Sequence, residues 1–166
     1  QPVVEISSAD APVHEVILTG DDADLTKLPV HLQHAMDGGP YISASVDYAC
    51  DPETGHRNAG IRRMMLRGPK EAGVDLTAPS DLQAIFRKVQ ARGERLPISY
   101  VVGSHPIDLL SASLRLPGDE IEQLAALRGA PLAVVKGVTN DVLVPADAEM
   151  VLEGYLDPVG WSEEEG

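Results

Sequence analysis

The sequence predicts a β-rich α+β fold, in which a closed or half-closed antiparallel barrel carries helices on its outside. Six β-prone runs recur along the 166 residues, separated sometimes by turns and sometimes by helices, without a regular β-α-β rhythm. Two longer stretches show the apolar spacing of an amphipathic helix. No glycine-rich phosphate loop or G-x-G-x-x-G motif occurs, which removes the common doubly wound nucleotide-binding folds.

The first half of the chain predicts three of the strands. Residues 1–12 are polar and contain proline, so we expect an extended or loose segment there, and the run 13–19 predicts the first strand. The runs 41–49 and 58–67 flank a turn rich in Asp, Pro, Thr and Gly at residues 51–55. This pattern predicts a hairpin with a longer loop.

The second strand of that hairpin carries the candidate chemistry. Asn58 offers an uncharged oxygen ligand, and Gly60 lets the backbone come close to a bound molecule. Arg62 and Arg63 are adjacent, so their guanidinium groups are expected on opposite faces of one strand. These residue types indicate an anion or phosphate site on a sheet, without naming a reaction.

The second half of the chain predicts two helices, 80–92 and 119–128, and three further strands. Ser80 and Gln83 match a capping box, and Gly93 suits the position after the helix end. Asp81 and Glu120 fall in the first turns of the two helices. A carboxylate there is favoured by the helix dipole and needs no function, so a ligand role requires other support. The remaining strands are predicted at 97–102, 131–139 and 149–156.

Composition restricts the classes of partner. The net charge of −13 argues against nucleic acid and anionic membranes. Cys50 is the single cysteine, which excludes an intrachain disulfide and fits a reducing compartment. No apolar run approaches the length of a membrane span and no signal peptide opens the sequence, so we expect a soluble, cytoplasmic protein. Residues 158–166 form an acidic tail.

Four segments resemble the central region of the UbiD-type decarboxylases. In chain order they read DGGPYI, DPETGHRNAGIRRM, RGERLPISYVVG and ALRGAPLAVVKGVTNDVLVPADAEMVLEGYLDP, and the likeness runs from about residue 13 onward. The resemblance implies a split-barrel, flavin-reductase-like domain over residues 13–157 that binds prenylated FMN through Mn²⁺ or Mg²⁺, with K⁺ nearby. It implies reversible non-oxidative decarboxylation of an aromatic or α,β-unsaturated carboxylic acid.

The resemblance also implies partners and a chain length. A flavin prenyltransferase supplies the cofactor to such enzymes, and a homo-oligomer is expected. Full members of the family are much longer on both sides. We therefore interpret the chain as a piece of such a protein, a processed product or an unusually reduced relative.

The family's metal-binding positions fall on three residues of this sequence. Its asparagine corresponds to Asn58 and its glutamate to Glu120. The place of its histidine is held by Asp81, which is a departure from the pattern. Three oxygen ligands suit Mn²⁺ or Mg²⁺, but Asp81 adds a negative charge beside a phosphate, which argues equally for weak or lost metal binding.

The catalytic and cofactor positions carry over in the same way. Arg63 corresponds to the catalytic arginine, and Glu165 to the first acid of a motif that this sequence does not complete. The second acid is absent, so we expect this chain alone to be inactive. A non-catalytic flavin-binding or assembly domain with the same fold is the alternative. The implied cofactor-binding positions are Asn58, Gly60, Ile61, Arg62, Arg63, Ser80 and Ser113.

Overall fold

The structure is a computed structural model that describes residues 1–114 and 116–159. The strands of this part are β1 (Val3–Glu5), β2 (Tyr41–Cys50), β3 (Arg57–Leu66), β4 (Ala72–Val74), β5 (Leu96–Val102), β6 (Leu132–Lys136), β7 (Leu143–Pro145) and β8 (Met150–Leu156). Its α-helices are α1 (Asp81–Ala91), α2 (Pro106–Ala112) and α3 (Glu120–Arg128). Short 3-10 turns occupy part of the chain between β1 and β2.

The strands form a five-stranded and a three-stranded sheet. The larger sheet has the order β4-β3-β2-β5-β8, and all its neighbouring strands are antiparallel. It curls into a half-barrel, and a cleft of about 560 Å³ lies between its two edge strands, β4 and β8. The smaller sheet has the order β1-β6-β7, with β1 parallel to β6. The β-rich α+β class and the antiparallel main sheet predicted from the sequence are confirmed.

Two apolar cores lie on opposite faces of the larger sheet. On one face α1 packs through Leu82, Phe86 and Val89, all at most 2% exposed, against β5 and β2. On the other face α3 and the small sheet pack through Leu124 and Val134, which are completely buried. Aliphatic side chains therefore fill most of the interior, as the scarcity of aromatic residues requires.

The helices begin and end where their capping residues predicted. The Ser80 hydroxyl accepts a hydrogen bond from the backbone N–H of Gln83, 3.2 Å away. The Gln83 amide does not return that bond; it donates to the carbonyl oxygens of Leu76 and Thr77, so one half of the predicted capping box is absent. Gly93 follows α1 with φ +69°, a conformation that glycine adopts without strain.

The predicted strand at 13–19 is wrong. Residues Pro12–His14 form a 3-10 turn, and Val16 and Leu18 are 73% and 63% exposed. The β-prone composition of this run is a local property, and in the part of the chain that the structure describes no strand lies beside it to complete a ladder. The small sheet instead takes its first strand from the segment expected to be extended or loose, because β1 pairs with β6.

None of the helices in residues 1–114 and 116–159 combines the length and the apolar character that crossing a lipid bilayer requires.

Candidate functional site

The candidate site lies along β3, where side chains alternate between the two faces of the sheet. Asn58, Gly60 and Arg62 share one face, and Ile61 and Arg63 point to the other. The hairpin turn before β3 is closed by a hydrogen bond from the Asp51 N–H to the His56 carbonyl oxygen, 2.8 Å away. β2 and β3 then pair from residue 57 onward, which fixes the register of the candidate residues.

The structure brings Asn58 and Glu120 into direct contact. β4 pairs only with the last residues of β3, so the early part of β3 faces the N-terminus of α3 instead of a strand. Glu120, in the first turn of α3, accepts hydrogen bonds from the Asn58 side-chain amide and from the Ala59 backbone N–H. Arg57 donates to Asp119, the N-cap of α3, at 2.6 Å and holds the helix there.

The side-chain oxygen of Asn58 is buried. Asn58 is 5% exposed, and its Oδ1 makes no hydrogen bond within the described residues. A buried carbonyl oxygen without a partner costs free energy unless something else binds it. Together with the adjacent Glu120 carboxylate, it provides two oxygen donors of the kind that Mg²⁺ and Mn²⁺ prefer. These residues therefore fit a divalent cation.

Asp81 is not part of this contact. Its side chain is exposed and makes no hydrogen bond or ion pair with the described residues. It lies instead along an open cleft of about 360 Å³, together with Asp51, His56 and Lys88. Within residues 1–114 and 116–159, no three His, Cys, Asp or Glu side chains are grouped closely enough to hold a metal ion.

Arg62 and Arg63 have different surroundings. Arg62 is 17% exposed; its Nε donates to Asp47 at 3.2 Å, and its Nη2 reaches the Ser80 hydroxyl at 3.4 Å. Arg63 is exposed, and its guanidinium carbon lies 5.8 Å from the centre of the Tyr41 ring, within the range of a cation–π contact. The two arginines thus occupy opposite faces of β3, as their adjacency predicted.

Arg63 also acts on an acidic neighbour. The pKa of Asp75 lies below its ordinary value, mainly because its carboxylate accepts hydrogen bonds from the hydroxyl and the backbone N–H of Thr77. The positive charges of Arg63 and Arg62 lower this pKa further by smaller amounts. Arg63 nevertheless keeps an exposed side chain, so it can reach an anion on its face of the sheet.

The remaining predicted positions are more dispersed. Ile61 is 40% exposed on the Arg63 face. Ser80 caps α1 beside Arg62, whereas Ser113 ends α2 with its exposed hydroxyl donated to the Leu110 carbonyl oxygen at 2.6 Å. Glu165 lies outside the described residues.

Sequence reasoning missed Asp47, a completely buried carboxylate in the middle of β2. It lies directly opposite Gly60 on β3 and Tyr100 on β5. Burial raises its pKa to about 6 despite the opposing charge and hydrogen bond of Arg62, and the negative charge of Glu120 makes a smaller contribution to this rise. The signal was present, because an aspartate inside an otherwise apolar strand is unusual and has to be explained by a partner.

Comparison with known proteins identifies the family of the chain. The family profile described as "3-octaprenyl-4-hydroxybenzoate carboxy-lyase Rift-related domain", or UbiD, matches residues 4–166. The chain belongs to the UbiD family. The resemblance noted in the four sequence segments is therefore confirmed.

The relatives of this UbiD-family chain include decarboxylases. An anhydromevalonate phosphate decarboxylase of Methanosarcina mazei is 38% identical over 148 residues, which cover 89% of this chain and 34% of the relative. The UbiD-class enzyme HmfF of Pelotomaculum thermopropionicum, solved with FMN, is 42% identical with a TM-score of 0.85, over 93% of this chain and 36% of that one.

A second HmfF structure extends the comparison to the prenylated cofactor. An evolved dimeric form of the enzyme, solved with prFMN, is 41% identical with a TM-score of 0.85, over 93% of this chain and 37% of that one. The chain thus spans about a third of the length of each of these proteins.

Proposed function

We propose that this chain is the cofactor-binding domain of a UbiD-like carboxy-lyase, which decarboxylates an aromatic or α,β-unsaturated carboxylic acid reversibly and without net oxidation. The observation that carries the proposal is the contact between Asn58 and Glu120 on a strand that also bears two arginines, with the Asn58 Oδ1 unpartnered among the described residues. The FMN and prFMN bound by the HmfF structures support prenylated FMN as the cofactor. The curled sheet fits a split barrel of the flavin-reductase type.

Three residues with side-chain oxygen atoms would hold a metal ion close to the cofactor phosphate. Asn58 and Glu120 supply two oxygen ligands, and Asp81 is the proposed third at the position where the family pattern has a histidine. We propose Mn²⁺ or Mg²⁺ for this place, with K⁺ as an additional ion. Gly60, Ile61 and Arg62 form the segment of β3 proposed to pass next to the phosphate, and Ser80 and Ser113 complete the set of cofactor contacts.

Arg63 is the proposed catalytic residue on the other face of β3. Its guanidinium can bind the substrate carboxylate through two parallel hydrogen bonds and orient it for the loss of CO₂. The prenylated flavin, when bound, serves as the electron sink for the carbanion-like carbon. Glu165 is proposed to return a proton to that carbon, which requires a carboxyl group that is protonated at the working pH.

The metal proposal is tested by titration calorimetry with Mn²⁺. We expect the Mn²⁺ affinity to rise when FMN is present, because the phosphate oxygens add ligands to those of the protein. Glu120→Gln should abolish this coupling, since it removes the charged ligand. Equal Mn²⁺ affinity with and without FMN would contradict the proposed arrangement.

The catalytic proposal is tested with Arg63→Lys in a longer protein that contains this chain. Lysine keeps the charge but cannot reproduce the two-point grip on a carboxylate, so decarboxylation should fall by about a hundredfold or more while FMN affinity survives. Arg67→Lys, an exposed arginine four residues further along the chain, is the matched control and should leave turnover unchanged. Unchanged turnover in Arg63→Lys would remove the catalytic assignment and leave only cofactor binding.

One observation favours a second candidate function, a non-catalytic flavin-binding or assembly domain. Asp81 stands where a histidine ligand is expected, and its carboxylate is exposed and makes no side-chain hydrogen bond or ion pair within the described residues. If the metal is not held, the fold keeps a flavin site without a working active site. The Arg63→Lys experiment separates the two functions, because only the catalytic one predicts a loss of turnover.

The proposed setting follows from composition and family. One cysteine and a net charge of −13 support a cytoplasmic protein that does not bind nucleic acid or an anionic membrane. The proposed partners are a carboxylic acid substrate, a flavin prenyltransferase that supplies the cofactor, and further copies of the protein in a homo-oligomer.

A further inference from the structure

Asp47 is a buried carboxylate that the proposed chemistry does not use. It is 0% exposed, and its Oδ1 accepts a hydrogen bond from Arg62 Nε at 3.2 Å. Its Oδ2 has no partner within the described residues, and neither does the hydroxyl of Tyr100, its cross-strand neighbour on β5. Burying a carboxylate that is only partly paired destabilises a fold, so stability alone does not explain its presence.

Gly60 provides the space that Asp47 needs. The two residues are directly opposite in the β2–β3 ladder, so their side chains share one face of the sheet. A Cβ atom at position 60 would lie 3.2 Å from the Asp47 Oδ1 and 3.7 Å from the Arg62 Nη2. The glycine therefore leaves room for the ion pair of Asp47 and Arg62.

Arg62 extends from Asp47 to the beginning of α1. Its Nη1 lies 3.4 Å from the Asp75 carbonyl oxygen, and its Nη2 lies 3.4 Å from the Ser80 hydroxyl. Both contacts lie at the long end of the hydrogen-bond range, and they connect the guanidinium to the residues just before α1. Because the guanidinium is a rigid plane, the Nε contact with Asp47 determines where both Nη atoms lie.

We propose that Asp47 is a positioning residue of the cofactor site, which acts through Arg62 to hold the first turn of α1 against β3. Ser80 precedes Asp81, so the chain of contacts from Asp47 to Ser80 sets the place of Asp81 relative to Asn58. Asp119 holds the first turn of α3 against β3 in a similar way, because its carboxylate accepts a hydrogen bond from Arg57 on β3. This inference rests on the proposed function, because it gives Asp47 a role in the same metal and flavin site.

The chain offers a matched control, the ion pair of Asp108 and Arg128. Asp108 is also 0% exposed, and Arg128 Nε donates to its Oδ1 at 2.7 Å. Arg128 also reaches Asp147, so this pair ties α2 and α3 to the loop between β7 and β8. Like the Asp47–Arg62 pair, this pair joins a completely buried aspartate to an arginine, but its hydrogen bonds do not reach β3 or α1.

The test measures FMN affinity in the presence of Mn²⁺ for three variants. Asp47→Asn should bind FMN about tenfold or more weakly than the parent protein, which is the usual effect of removing a residue that orients metal ligands. Arg62→Lys should weaken FMN binding to a similar degree, because the lysine ammonium group cannot contact Asp47 and Ser80 at the same time as the planar guanidinium group does. Asp108→Asn, measured well below its unfolding temperature, should bind FMN within about twofold of the parent protein.

A further variant, Asn58→Ala, tests the proposed function itself, because Asn58 is a proposed metal ligand. Its FMN affinity therefore shows whether a failed test counts against the role of Asp47 alone or against the proposed function as well. If Asn58→Ala loses FMN affinity while Asp47→Asn and Arg62→Lys do not, the inference is overturned and the proposed function stands. If Asp108→Asn weakens binding as much as Asp47→Asn, the effect is a general loss of rigidity and the inference is overturned. If Asn58→Ala itself binds FMN as the parent does, the proposed function fails and the inference with it. Should Asp47→Asn not fold, Asp47→Ser takes its place, because Arg62 is itself a proposed cofactor contact: Asp47→Ser should weaken FMN binding about tenfold or more, and unchanged binding would overturn the inference.

Discussion

The buried Asp47 predicts an unusual pH dependence of stability. Burial raises its pKa from 3.8 to about 6 in the folded protein, against the opposing charge of Arg62. The folded state then holds a proton that the unfolded state has lost, so the free energy of unfolding falls as the pH rises through this window. The difference of about 2.2 pKa units corresponds to about 3 kcal/mol in total, of which about 2 kcal/mol are lost between pH 4 and pH 6.

The variant Asp47→Asn isolates this contribution, because the amide has nearly the same shape and does not titrate. Urea denaturation followed by circular dichroism at pH 4, 5, 6 and 7 gives the free energy of unfolding of both proteins. The parent protein should lose about 2 kcal/mol relative to Asp47→Asn between pH 4 and pH 6. Parallel profiles for the two proteins would refute the raised pKa and the reasoning from burial.

The groups that face Asp47 set the size of the effect. Arg62 on β3 favours the charged carboxylate, whereas Glu120 at the start of α3 disfavours it. Tyr100 on β5 is itself buried, which raises its pKa, so its hydroxyl stays neutral throughout the window. Removal of the Glu120 charge in Glu120→Gln should therefore lower the pKa of Asp47 and flatten the profile between pH 4 and pH 6.

Three further predictions concern stability. Lys88 donates a hydrogen bond to Asp51 at 2.7 Å and lowers the pKa of that carboxyl group to about 2, so the stability that this pair contributes is present above pH 4 and is lost as the pH falls towards 2. The free energy of unfolding of Lys88→Met should therefore fall less between pH 4 and pH 2 than that of the parent protein. An equal fall in both proteins would contradict this. Arg128→Met leaves Asp108 buried without its partner and should cost about 3–5 kcal/mol in urea denaturation, most of which Arg128→Met combined with Asp108→Leu should restore. Leu82→Ala, at a completely buried position of α1, should lower the free energy of unfolding by about 2–5 kcal/mol. Leu109→Ala, at a position that is 39% exposed, should lower it by less than about 1 kcal/mol. Equal losses in the two variants would mean that α1 does not pack as described.

Local patterns accounted for most of the secondary structure. The hairpin, the two longer helices and the strands β5, β6 and β8 lie where alternation, capping residues and turn residues predicted them. These features depend on neighbouring residues in the chain, which a single sequence displays directly. The strand prediction for residues 13–19 was wrong for the same reason, because β propensity describes the residues themselves and does not show whether a partner strand is present.

The candidate site divides in a similar way. The sequence placed Asn58, Gly60 and Arg62 on one strand and Arg63 on its opposite face, because the period of a strand is two residues. Asn58 and Glu120 are 62 positions apart in the sequence, so their contact depends on the path of the whole chain between them, and it was predicted only from the likeness to a known family. The exposed place of Asp81 could not be read from its position in a first helical turn.

The sequence by itself determined the β-rich α+β class, the strand that carries the candidate ligands and, through its motifs, the UbiD family. Only the tertiary structure decided that Asp47 lies opposite Gly60, binds Arg62 and is buried at the centre of the sheet. The physical reason is that burial and charge pairing depend on distances between strands and helices far apart in sequence. Those distances are set by the packing of two apolar cores around one curled sheet, and no local pattern records them.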